Sequence, residues 1–142
     1  MAPQMIFVNL PVKDLDASKR FYEQLGYTIN PQFSDETAAC VVISETIFAM
    51  LLTEEKFLTF TAPGKQISDA TKNTEVLITL SAESREKADE LAERALAAGG
   101  SPAKETMDLG FMYGRSFADL DGHHWEVFWM DPAAAQGEAP QG

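Results

Sequence analysis

The sequence predicts an α+β fold in which two βαβββ modules build a curved, partly open eight-stranded sheet. Three observations carry this reading. A strand-like apolar run followed by a capped amphipathic helix occurs twice, near the start and again after residue 74. Glycine stops each helix, Gly26 in the first and Gly99–Gly100 in the second. Three further strand-like stretches follow each helix, so the repeat is one of topology rather than of sequence identity. One domain over residues 1–131 is expected, with modules at about 5–52 and 74–131.

Residues 5–12, MIFVNLPV, form the first strand. Asp14 offers an N-cap to LDASKRFYEQLG, whose buried stripe is Leu15, Phe21, Tyr22 and Leu25. Strands follow at 27–32, 37–43 and 46–52. Residues 53–73 are polar and read as a lid-like linker. EVLITLS (75–81) starts the second module. In SREKADELAERALAAGG, the residues Ala88, Leu91, Ala92, Ala95 and Leu96 recur at the spacing of one helix face. Strands are expected at 102–107, 111–118 and 124–130. The tail 132–142, PAAAQGEAPQG, lacks apolar periodicity and reads as a flexible end.

Side chains alternate across a strand, which divides each strand into two sets. Ile6, Val8 and Leu10 suit a helix, leaving Phe7 and Asn9 for the open face. Val76, Ile78 and Leu80 likewise leave Glu75, Leu77 and Thr79. The fourth strand presents Phe48 and Met50, and the last presents His124, Glu126 and Phe128. Two modules side by side would share a concave surface suited to a ligand. Carboxylates there, Glu75 and Glu126, need water, a partner or a cation. Tyr113 and Arg115 share a face and are expected to orient an anionic ligand group, unless Arg115 pairs with a glutamate. The segment DLDGHHWEVFW, Asp119–Trp129, holds both histidines of the chain. It reads either as a metal-binding corner or as a tight hairpin with polar residues.

A chain of 142 residues, 45% hydrophobic and 23% charged, suits one globular domain. Its 22 acidic and 11 basic residues give a formal charge of −11. Such a surface repels phosphate backbones and anionic lipid, so nucleic acid and membranes are not expected partners, and it attracts cationic ligands. No apolar run approaches the roughly 18 residues of a membrane span, and no basic-then-apolar leader is evident. The expected location is therefore cytoplasmic. The single Cys40, in AACVVIS, reads as a small buried hydrophobe.

The opening VNLPVKDLDASKRFYEQLGY and the closing YGRSFADLDGHHWEVFW, with the paired modules, resemble the vicinal oxygen chelate superfamily. That group includes glyoxalase I, extradiol dioxygenases, and fosfomycin- and bleomycin-resistance proteins. The resemblance covers residues 5–131. It implies up to four inward His, Gln or Glu ligands, one on the first and one on the last strand of each module. Carried onto this sequence, those positions are Phe7, which is seven residues before Asp14, Met50 or a neighbour, Glu75 and Glu126. Phenylalanine has no lone pair and methionine suits hard cations poorly. The resemblance therefore implies at most a weakly held divalent ion on Glu75 and Glu126, with His124 as a possible supplement, and no complete metal site.

Two functions follow from the resemblance. One is binding of a small organic molecule, with Phe7, Asn9, Phe48, Met50, Glu75, Tyr113 and Arg115 as lining residues and Phe111 as a possible addition. A flat cation stacked on such rings would gain about 0.5–2 kcal/mol per contact. The other is a metal-dependent lyase or isomerase of the glyoxalase type, with Glu126 as general base. A homodimer is expected in either case, since modules of this superfamily often pair across chains.

Overall fold

A computed structural model describes residues 2–135. The chain divides into two compact units, parting between Asp69 and Ala70. Among the described residues, no helix is long and apolar enough to cross a membrane.

The first unit contains β1 (Ile6–Val12), α1 (Leu15–Gln24), β2 (Thr28–Asn30), a 3-10 turn at Pro31–Phe33, β3 (Ala38–Val42), β4 (Ile47–Thr53) and α2 (Glu54–Phe60). Its sheet runs β1-β4-β3-β2, with β1 parallel to β4 and the other pairs antiparallel. Asp14 caps α1 by accepting from the Ala17 amide at 3.1 Å, which satisfies an N–H that the first turn cannot pair. The expected stripe Leu15, Phe21, Tyr22 and Leu25 is buried. The helix packs on β3 and β4, where Ala39, Val41, Ala49 and Leu51 are completely buried. Phe21 and Tyr22 meet edge to face, with centroids 5.0 Å apart. Full burial of each such ring is worth about 2–3 kcal/mol.

The second unit repeats the plan with β5 (Leu77–Ser81), α3 (Arg85–Ala97), β6 (Ser101–Pro102), β7 (Met107–Asp108), β8 (Met112–Ala118) and β9 (His124–Met130). The order is β5-β9-β8-β6, β7 also pairs with β8, and β5 lies parallel to β9. Ser84 caps α3 by accepting from the Lys87 amide. Ala88, Ala92 and Ala95 of the expected stripe are fully buried.

The structure refines four expectations. The strands form two hydrogen-bonded sheets, of four and five strands, rather than one of eight. The strand expected at 102–107 splits into β6 and β7. Pro102 has no N–H, and beyond it the Ser116 hydroxyl takes over the ladder, accepting from the Lys104 amide at 2.8 Å and donating to its carbonyl at 3.2 Å. The linker 53–73 contains α2, capped by Thr53 with Glu54 and Glu55 in its first turn. The expected loose tail begins with a helical turn, Pro132–Ala135, and residues 136–142 lie outside the described residues.

Candidate functional site

In the first unit, the sheet face away from α1 carries the expected aromatic pair. Phe7 and Phe48 are register partners on β1 and β4. Their rings stack at 4.7 Å with an interplanar angle of 10°, yet Phe7 remains 42% exposed. The next row places Asn9, Met50 and Cys40 side by side. Cys40 is fully buried, and burial pushes its thiol pKa up, as expected of a small core residue.

Helix α2 supplies what the sequence did not reveal. A cleft of about 470 Å³ is lined by Asn9 of β1, Phe57 and Phe60 of α2, and Thr61. The Asn9 Nδ2 donates to the Phe7 carbonyl at 3.2 Å, and the Thr61 hydroxyl donates to the Leu58 carbonyl at 3.1 Å. Lys56 Nζ lies 5.3 Å from the centre of the Phe60 ring, and Phe60 is 65% exposed.

In the second unit, Glu126 sits on β9 between Thr79 of β5 and Ser116 of β8. His124, two residues earlier and on the same face, brings its Nε2 to 3.2 Å from the Glu126 Oε1. His124 is mostly buried and Glu126 about one-third exposed. Glu75 does not join them. It lies in a bend before β5 and is exposed, as is Val76. Because Thr79 is the register partner of Glu126, Glu75 would lie roughly 13 Å away along an extended strand. Among the described residues, no group of three or more His, Cys, Asp or Glu side chains is placed to hold a metal ion.

Tyr113 and Arg115 lie on the opposite face of the sheet from Glu126, contrary to their expected role as lining residues. They share the face of Val127 and Trp129, the face that packs on α3. The Tyr113 hydroxyl donates to Asp89 Oδ1 at 2.6 Å, and Arg115 Nη1 donates to the same oxygen at 2.8 Å. Arg115 Nη2 is also 3.7 Å from Glu93 Oε1. The Tyr113 hydroxyl above all, and then the Arg115 guanidinium, hold the Asp89 carboxyl below its ordinary range. Beside them Arg85 lies over the Tyr113 and Trp129 rings, at 4.9 and 5.4 Å, and forms a fork to both oxygens of Asp108 at 3.0 Å. This is a structural clamp of α3 on its sheet. Phe111 precedes β8 and gives its carbonyl to the Asp131 amide at 2.7 Å.

The segment containing the histidines is a hairpin. Buried Asp119 accepts from the amides of Asp121 and His123 at 3.0 and 2.9 Å, and its own amide donates to the His123 carbonyl at 3.0 Å. Gly122, at φ +90°, supplies the left-handed residue that the reversal requires.

Residues 4–44 match the family model described as bleomycin resistance protein-like N-terminal. A solved structure from S. aureus, described as hypothetical protein SA1046, is 32% identical over 91% of this chain and 95% of its own, with a TM-score of 0.73. A glyoxalase/bleomycin resistance protein/dioxygenase family enzyme from Burkholderia phytofirmans superposes with a TM-score of 0.75 at 18% identity, covering 90% of this chain and 99% of its own. The fold of this chain is that of glyoxalase/bleomycin resistance protein/dioxygenase structures. Lactoylglutathione lyase from Agrobacterium tumefaciens shares this fold at a TM-score of 0.65 and 16% identity, covering 90% of this chain and 94% of its own. No curated protein sequence matches this chain.

The superfamily's ligand spacing can now be set on observed caps. Phe7 stands seven residues before the N-cap Asp14, and the same step from the N-cap Ser84 reaches Leu77, not Glu75. Leu77 is the register partner of His124.

Proposed function

We propose that this protein binds a small organic molecule on the open sheet face of its first unit, without a metal shell. The observation that carries the reading is the stacked and partly exposed Phe7–Phe48 pair close to the cleft that Asn9, Phe57 and Phe60 line. Met50 completes the apolar floor beside Asn9. Exposed stacked rings give up unfavourable contact with water when a flat ligand covers them. The donor set argues in the same direction. With Phe7, Phe48 or Met50, and Leu77 at the ligand positions, Glu126 is the single carboxylate, and the residues present do not fit the superfamily's metal.

The test is a thermal-shift series paired with metal analysis. Divalent ions should leave the melting temperature unchanged, while planar aromatic compounds should raise it in the native protein and not in a Phe7→Ala, Phe48→Ala double variant. A stoichiometric transition metal that survives dialysis and is lost in Glu126→Gln would sink the proposal.

The His124–Glu126 contact favours a second reading, a lyase or isomerase of the glyoxalase type in which Glu126 takes up the proton and His124 orients its carboxylate. In that case isomerisation of a thiohemiacetal substrate should be abolished by Glu126→Gln and weakened by His124→Ala. We further propose that the protein works in the cytoplasm as a homodimer. Its edge strands β1 and β5 carry exposed Ile6, Phe7 and Leu77, the kind of edge that a second copy covers.

A further inference from the structure

We infer that the cleft between β1 and α2 takes an aromatic carboxylate, its ring against Phe57 and Phe60 and its carboxylate met by the Lys56 ammonium and the Asn9 amide. The inference rests on the proposed small-molecule site and names the ligand class which that site takes.

The apolar half of the cleft comes from α2. Phe57 and Phe60 lie three residues apart on the helix, Thr61 is its C-cap, and all three line the cleft with Asn9 of β1. Residues at that spacing share a helix face. Phe60 is 65% exposed, and a ligand ring laid on it would remove apolar surface from water. The volume of about 470 Å³ falls within the roughly 300–1,000 Å³ of small-ligand pockets and admits a bicyclic ring. The Thr61 hydroxyl gives its proton to the Leu58 carbonyl, so its lone pairs suit the positively polarised edge of an aromatic ring.

The polar half is rich in donors. A side-chain amide nitrogen carries two protons. Asn9 Nδ2 commits one to the Phe7 carbonyl at 3.2 Å and keeps the other. The same bond fixes which way the amide faces, because only its nitrogen can donate to a carbonyl. Lys56 stands one turn before Phe60, beside the cleft, with its Nζ 5.3 Å from the ring centre. An ammonium has three protons to donate, and a ring face supplies no oxygen to receive them. Among the described residues, no carboxylate forms an ion pair with Lys56. Its charge is the smallest of the influences on Asp35, which is held first by Thr37. Glu54 and Glu55 of the same helix do not line the cleft.

A cationic ligand stacked on Phe60 would meet the Lys56 charge at close range, and a neutral ring would leave that ammonium without an oxygen. A carboxylate on the ring answers the ammonium and the spare Asn9 proton together, in charge-assisted hydrogen bonds. The acidic excess of the whole chain opposes an anion from a distance. Salt screens distant charges beyond about 8 Å at physiological ionic strength, so the neighbouring ammonium decides.

The experiment follows backbone amide NMR shifts while the full chain is titrated with naphthoate, naphthamide or naphthylmethylammonium. Naphthoate should move the amides of Asn9, Phe57 and Thr61 and bind about fivefold more tightly than the neutral amide, the scale of a partly exposed charge-assisted contact. The cation should bind most weakly. The preference for naphthoate should shrink between about 0.01 M and about 1 M salt. Lys56→Gln should remove most of it while keeping ring binding, Lys56→Arg should retain it, and Asn9→Leu should reduce it. The Lys56 variants leave the helix cap in place, because Thr53 accepts from the backbone amide of that residue. If naphthamide or the cation binds as tightly as naphthoate, or Lys56→Gln keeps the full preference, the carboxylate inference is wrong while the small-molecule reading stands. If no naphthalene probe moves these amides, the small-molecule reading itself falls.

Discussion

Gly122 carries two separate demands. Its φ of +90° lies where a side chain is rarely tolerated, and a Cβ built there would come within 2.9 Å of the Ala70 carbonyl carbon and oxygen and the Thr71 nitrogen. Neither obstacle is a flexible side chain that could swing aside. Gly122→Ala should therefore destabilise the protein by about 2 kcal/mol or more, read as a drop in the urea midpoint at unchanged slope. An unchanged midpoint would mean that the hairpin does not lie against residues 70 and 71. The Asp-Gly pair made this turn legible from the sequence. The buried Asp119 that ties two amides of the turn did not stand out, because an aspartate before a turn is ordinary. Phe7, Asn9, Phe48 and Met50 were placed on their open face by strand parity. Tyr113 and Arg115 were not, since parity separates two faces without saying which one a helix covers. Asp89 and Glu93 on α3 are what make the helix-side position tolerable for Arg115, only 17% exposed there.

The contact between α3 and β8 includes a titrating group, the Asp89 carboxyl that meets Tyr113 and Arg115. Asp89 has its carboxyl pKa lowered, first by the Tyr113 hydroxyl and then by Arg115, from an ordinary 3.8. A folded-state value below the unfolded one contributes stability that is fully present above 3.8 and fades as pH falls through the lower folded value. Asp89→Asn should therefore cost about 1 kcal/mol at neutral pH, an amount kept modest by the solvent reaching this side chain. Urea unfolding of both proteins from pH 7 down to acid should show the gap closing below pH 3.8. A gap that stays constant would remove the carboxylate from the explanation. The helices α1 and α3 were legible because cap, apolar stripe and terminal glycine agree in each. Helix α2 was missed although its signals are present, a threonine cap followed by two glutamates. Its seven residues are too few for periodicity to emerge. The apolar run predicts a strand from residue 75, whereas β5 begins at Leu77, so Glu75 lies ahead of the strand.

For the whole molecule, charge is the property read most directly from composition. The excess of acids sets a pI near 4.5, and the net charge at neutral pH opposes precipitation. Turbidity of concentrated protein should therefore peak close to pH 4.5 and clear on either side; a peak at neutral pH would point instead to the exposed apolar edges. The two-module plan was also legible as a whole, since the order of elements survives errors at their ends. The division into separately bonded sheets was not, because hydrogen-bond partners depend on where each strand starts. That strand order also imposes a schedule on synthesis. In each unit the first strand bonds only to the last, Ile6 with Ile47 and Leu77 with His124. On a ribosome the first unit has every strand it needs once Thr53 has emerged. The second cannot close until β9 arrives, about 47 residues after β5 begins, so β5 must wait with its edge unpaired while nearly the whole remaining chain is made.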